Sequence, residues 1–248
     1  MLYLGGSFHA LRPIDYPLPP EYNRAFDISS RIVFEEDPKT GSAGFKALMK
    51  AGQYAKNDSI KNHVDPRTYD YLKRFFKLRG VSEEKFKEYR PWLIDMLLSA
   101  PPPEYFNLGV ETFFWRRAVA NSKRTSGLES TSEHNHVFAG LTDRESEALL
   151  LTLFINAGRE QPHGAMVFEA WRRGDAETLG RLTRDSFSDF PIMAVRLLDA
   201  RNRNWIPKIE SYLRSGERYF VIVGAAHMGG PNGLLSLLRA RGYKVEQL

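Results

Sequence analysis

Apolar positions along the chain follow two rhythms. In residues 31–36 three consecutive apolar side chains, Ile32, Val33 and Phe34, occupy both faces of an extended segment before Glu35 and Glu36 end it in charge. That is the pattern of a central strand covered on both sides. Tyr219 to Val223 is a β-branched and aromatic run and Met1 to Leu4 a shorter apolar one, so each predicts a buried strand with a glycine starting the turn after it. A short strand is expected to end at Ser126-Gly127-Leu128-Glu129, and a terminal one to cover residues 244–248.

The rest of the chain reads as helix. A proline-rich turn leads into a helix over 20–29, Asp65-Pro66 caps one running to about Arg79, and Ser82 caps another to Ser99, kinked near Pro91 and stopped by Pro101-Pro102-Pro103. Further helices are expected over 110–121, from the capping box Thr142-Asp143-Arg144-Glu145 into the all-round apolar stretch 149–155, and from Asp175 to about Thr183. Pro191 begins a helix whose inward stripe runs Ala194, Leu197, Leu198, Arg201, Trp205, and residues 231–241 form a last helix closed by Gly242. Residues 37–64, polar and glycine-containing with a short amphipathic piece at 45–49, read as a flap or surface excursion. The resulting class is α/β: a small mixed central sheet built by strands from both chain ends, flanked by many helices around a largely helical middle. Residues 1–248 are expected to form one domain with a helical insertion at about 38–121.

Composition narrows the function. With 42% hydrophobic residues in 248, the chain can bury a large core. Cys is absent, which excludes disulfides, zinc ribbons and thiol catalysis. The net charge is +5, but the basic residues are scattered as pairs such as Arg172-Arg173 and Arg239/Arg241, without a basic block, so no nucleic-acid partner is expected. No apolar run approaches the roughly 20 residues of a membrane span, so no transmembrane segment is expected.

Candidate chemistry sits at the strand ends. Gly-x-x-His occurs twice after an apolar run, as Gly6-Ser7-Phe8-His9 and Gly224-Ala225-Ala226-His227. Both histidines follow a strand's carboxyl end, where open α/β sheets bind ligands. Glu35 and Glu129 lie at two other strand ends, with Glu36 as the alternative to Glu35 because strand alternation does not say which of the two faces the crevice. Arg201 continues an inward stripe and needs a carboxylate of the protein or of a substrate, with Asn202 beside it. His134-Asn135-His136 reads as surface, the glycines of 224–233 lack the spacing of a phosphate loop, and Tyr69, Tyr71, Phe75 and Phe76 read as packing.

The ordered set of Gly-x-x-His after a strand, Val-Phe-Glu, Pro91-Trp92, Gly109-Val110-Glu111, Gly127-Leu128-Glu129, Arg201-Asn202 and Val223-Gly224-Ala225-Ala226-His227-Met228-x-Gly230 resembles the TraB/GumN family over nearly the whole chain. Relatives of that family include the Tiki metalloproteases, the PrgY and TraB pheromone-shutdown proteins and, more distantly, erythromycin esterases. The resemblance implies a divalent-metal-dependent hydrolase, foremost a metallopeptidase acting on a peptide or protein with metal-activated water. It places metal ligands at His9, His227, Glu35 and Glu129 and catalytic roles at Glu35, Glu129, Arg201 and Asn202. Two imidazoles and two carboxylates suit manganese, cobalt or zinc. A carboxylate that is not a ligand is then the general base, and Arg201 and Asn202 face a developing oxyanion or a substrate carboxylate. The alternative is a catalytically silent protein that sequesters a peptide signal. This chain departs from the family in reading Ser-Phe between Gly6 and His9 and in having Glu111 where Asp is usual. It also begins without the leader of exported relatives, so the expected location is periplasmic if residues precede Met1 and cytoplasmic otherwise.

Overall fold

The computed structural model describes residues 1–158 and 163–248. Four strands, β1 (Leu2–Ser7), β2 (Arg31–Glu36), β3 (Arg124–Glu129) and β4 (Tyr219–Gly224), form one sheet in the order β1-β4-β2-β3. Every pairing is parallel: Leu2 to Ser7 run beside Tyr219 to Gly224, Arg31 to Val33 beside Tyr219 to Val221, and Glu36 lies opposite Glu129. The chain is thus α/β with a sheet built from both of its ends and many flanking helices. Two details differ from the sequence reading. The sheet is wholly parallel rather than mixed, and residues 244–248 make no strand; Tyr243 and Val245 pack on the core without joining the ladder. Parallel order has a direct consequence for function: all four carboxyl ends open on the same edge of the sheet.

Alternation along the strands builds two cores. Ile32, Phe34, Phe220 and Ile222 face one side, with Phe26, Phe114 and Trp171; Val33, Val221 and Val223 face the other, with Trp205, Ile206, Ile209 and Leu234. Ile32 and Val33 are both fully buried, as a strand covered on both faces requires.

The described residues divide into two compact units, one from residues 1–41, 101–131 and 163–248 and the other from 42–100 and 132–158. The first contains the sheet. In the second, Tyr69, Leu72, Phe76, Phe86, Ile94 and Leu150 form a separate core. There Thr142 and Glu145 complete the expected capping box and start the helix Asp143–Gly158. Ser146 Oγ on that helix accepts the Trp92 N–H at 2.9 Å.

Most helices fall where the caps put them. Asp65 accepts from Arg67 N to open Pro66–Lys77, Asp175 accepts from Thr178 N to open Ala176–Asp185, and Val110–Ala120 matches its expected span. Four places differ, among them the last helix, which spans only Leu234–Arg239 instead of 231–241. Residues 41–51 are a helix rather than an irregular excursion, because Leu48 and Gly44 bury one face of it. Ser82 starts only a short 3-10 turn, Glu83–Lys85, with no side-chain cap, and the helix proper begins at Pro91. The Pro191 helix passes through a π turn at Val195–Asp199 before continuing as Ala200–Arg214. Among the described residues no helix is long and apolar enough to cross a membrane.

Candidate functional site

At the carboxyl end of β2 the pleat decides between two neighbouring glutamates. Glu36 turns to the hydroxyls of Thr40 and Thr131. Glu35 turns the other way and is 8% exposed. Its Oε1 accepts the Gly224 N–H at 2.6 Å and its Oε2 accepts from Arg201 Nη2. Burial alone raises a carboxyl pKa, but the Arg201 guanidinium and the Gly224 N–H hold Glu35 below the ordinary carboxylate range.

Glu129, at the end of β3, is equally buried. Its Oε1 accepts from Arg201 Nη2 at 2.6 Å, while Oε2 accepts from Arg201 Nε at 3.2 Å and from the Trp205 indole N–H at 3.1 Å. One guanidinium therefore bridges both carboxylates. It also lies 4.7 Å above the Trp205 ring. The partner that a buried arginine on an inward stripe needs is thus two acids of the protein itself.

His227 follows β4 in a short 3-10 turn and is 3% exposed. Its Nδ1 lies 2.7 Å from Asn202 Oδ1, and its Nε2 lies 3.1 Å from Arg201 Nη1 and 3.8 Å from Glu35 Oε1. These neighbours assign the tautomer. Asn202 donates its amide hydrogens to the carbonyls of Asn232 at 2.8 Å and His227 at 3.3 Å, so its oxygen must face the ring and Nδ1 must carry the proton. Arginine has no acceptor, so Nε2 presents its lone pair to Nη1. A neutral ring fits the burial, which drives the His227 pKa down to about 4 against the opposing pull of Glu35. Asn202 is fully buried, with both ends of its amide engaged by the protein. The loop carrying Asn232 is in turn tied to Asp199, which Arg184 pairs at 2.7 Å.

His9 is held differently. Its ring is 66% exposed, and Nδ1 meets Glu111 Oε1 at 2.8 Å. Ser7 Oγ donates to the same oxygen. The Glu111 carboxylate raises the His9 pKa to about 9, against the opposing effect of desolvation. Sequence reasoning did not name Glu111 as a site residue, although the triplet Gly109-Val110-Glu111 was visible. Each member has a physical role. A Cβ at Gly109 would stand 2.1 Å from the His9 carbonyl oxygen, Val110 N donates to Phe8 O at 3.0 Å, and Glu111 in the first helical turn then reaches the imidazole.

The ends of β1, β2 and β4 converge beside Gly224. A Cβ there would lie 3.1 Å from Glu35 Oε1, 3.5 Å from His227 Cδ2 and 3.9 Å from His9 Nε2, so the absent side chain marks where the three meet. Glu35 and Glu129 offer oxygens within 4.8 Å of each other. The Arg201 guanidinium already occupies a cation position among Glu35, Glu129 and His227 Nε2, and Glu111 keeps a buried Oε2 without a partner. That donor chemistry fits a divalent ion. His134 and His136 lie on the helix Thr131–Ala139, the former partly buried and the latter exposed.

Comparisons with the curated proteins and with solved structures returned no match. A comparison with protein families matches the TraB/PrgY/gumN family over residues 1–247, and the chain belongs to that family.

Proposed function

We propose that the cluster at the strand ends is the centre of a divalent-metal-dependent hydrolase acting on a peptide or protein. The observation that carries this reading is the convergence of the Glu35 and Glu129 carboxylates and the His227 Nε2 lone pair on one cation position. His9 adds a second imidazole from the turn after β1, its Nε2 directed toward Gly224. Nitrogen and oxygen donors without thiolate suit manganese, cobalt or zinc. An ion held there supplies Lewis acidity for a scissile carbonyl and lowers the pKa of water toward neutrality.

The chain's own groups do the rest. Asn202 fixes the His227 ring so that Nε2 faces the site, and Glu111 fixes His9 through Nδ1 in the same way. Whichever of Glu35 and Glu129 does not hold the ion accepts a proton from the attacking water. Arg201 stabilises negative charge on the substrate oxygen.

The test is elemental analysis of protein purified without chelator and reconstituted with manganese, cobalt or zinc, beside His227→Ala and Glu129→Gln variants checked for folding by circular dichroism. About one equivalent in the parent and loss in both folded variants is the expected result. A screen of peptides for cleavage then follows. Metal-free parent protein after reconstitution defeats the reading.

One observation favours a second reading, a silent peptide-binding protein. Arg201 already neutralises both buried carboxylates, so the cluster is charge-balanced without an ion. That reading requires peptide affinity without turnover, and metal-dependent cleavage of the bound peptide removes it.

A further inference from the structure

Resting on the metal-site reading, we propose that Arg201 is an internal competitor for the ion: it holds the ligand set together in the metal-free protein and must leave when a divalent cation enters. The argument is one of valence at single atoms. A neutral imidazole has one lone pair in its plane, and the His227 pair on Nε2 points at Arg201 Nη1, 3.1 Å away. An ion on Nε2 and a hydrogen bond from Nη1 to that atom exclude one another. The same guanidinium takes Oε2 of Glu35, and it takes both oxygens of Glu129 through Nη2 and Nε. The oxygens and the nitrogen that would bind the ion are thus the atoms Arg201 uses.

Charge leads to the same conclusion. Two buried carboxylates close together need a cation between them, because like charges at short range in a poorly solvated site repel strongly. A guanidinium meets that need with a planar fork. A divalent ion meets it with greater charge density, and leaving Arg201 beside the ion adds repulsion. The side chain also has contacts that do not use the ligand atoms. Its guanidinium already lies over the Trp205 ring, a surface that attracts cations, and Nη1 already reaches the Leu197 carbonyl one turn back, at 3.3 Å. Arg201 leaves the first turn of Ala200–Arg214, immediately after the π turn Val195–Asp199, where the helix departs from regular pitch. Metal affinity is therefore set by an exchange of cations as well as by the ligands.

The exchange makes opposite demands on stability and affinity, which gives the test. Arg201→Gln and Arg201→Lys are compared with the parent by isothermal titration with Mn2+ and Co2+, each added alone to chelator-treated protein, and by thermal unfolding with and without the ion. Arg201→Gln is expected to unfold at a lower temperature without metal and to bind Mn2+ at least about tenfold more tightly, the change expected from removing one competing charge. Arg201→Lys, which keeps the charge and loses the fork, falls between. If Arg201→Gln is too unstable to titrate, a larger rise in its unfolding temperature on adding Mn2+ than in the parent supports the exchange, and an equal or smaller rise overturns it. Unchanged or weaker binding in folded Arg201→Gln, with normal binding by the parent, overturns the competition and leaves the metal site standing. Absence of binding by parent and variants alike overturns both.

Discussion

The two Gly-x-x-His segments share a motif and a place in the fold, yet their imidazoles live in opposite electrostatic worlds. His9 is 66% exposed and its Nδ1 meets an acid, Glu111. His227 is 3% exposed, with its Nδ1 on a neutral amide and its Nε2 on an arginine. The first ring is pushed up to about 9 and the second down to about 4. A motif fixes where a side chain leaves the backbone; its charge state belongs to the groups that the rest of the chain brings to meet it.

The largest effect that tests this contrast is expected from His227→Ala, which leaves Asn202 Oδ1 and an Arg201 N–H without partners in a buried site. A loss of about 2–4 kcal/mol in urea unfolding is expected. Substitution by Ala at Gly109 comes next, at about 1–3 kcal/mol, because the new methyl meets the His9 carbonyl oxygen at 2.1 Å. A neutral outcome there would mean that the helix start at Val110 is not pinned to the β1 turn.

Acid and base sharpen the comparison through sign. For His227 the folded pKa, about 4, lies below the ordinary 6.5. The unfolded chain therefore takes up the proton first, and this contribution is intact above pH 6.5 and lost as pH falls from 6.5 toward 4, by up to about 3 kcal/mol. For His9 the folded value of about 9 lies above 6.5. Its contribution is present below pH 6.5 and lost as pH rises through 9. In metal-free protein, His227→Gln is expected to flatten the acid limb of stability against pH. Glu111→Gln is expected to bring the His9 titration, followed by NMR of the ring, back toward 6.5. A His9 midpoint unmoved by that change breaks the assignment of Glu111 as its partner. The smallest expected effect is on the stability of His9→Ala above pH 9, where the ring has given up its proton and its pair with Glu111: within about 0.5 kcal/mol of the parent, because the ring is exposed.

Strands and caps were legible because their signals are local. Ile32, Val33 and Phe34 describe a doubly covered strand within three residues, and Asp65, Thr142 and Asp175 each announce a helix by a side chain that reaches the backbone two or three residues on. The π turn at Val195–Asp199 left no mark in the apolar stripe, because Leu198 stays buried within it and Ala194 and Trp205 on either side of it. Tyr243 to Glu246 alternate like the start of a strand, but a strand exists only through a hydrogen-bonded neighbour, and their own pattern does not say whether one pairs with them. The sequence narrowed the acid of β2 to Glu35 or Glu36, and the pairing of Glu36 with Thr40 and Thr131 chose between them.

By itself the sequence determined most of the elements, the α/β class and the set of chemically able residues at the strand ends, since hydrophobic period, capping and glycine turns act within a few residues of one another. Only the tertiary structure decided which atoms meet. Arg201 lies 166 residues from Glu35 and 72 from Glu129 in the chain, and Glu111 stands 104 from Ser7. Contacts across such separations follow from strand order and parallel register. So does the protonation state of each imidazole, because Coulomb and desolvation energies depend on distance in space and not on distance along the chain.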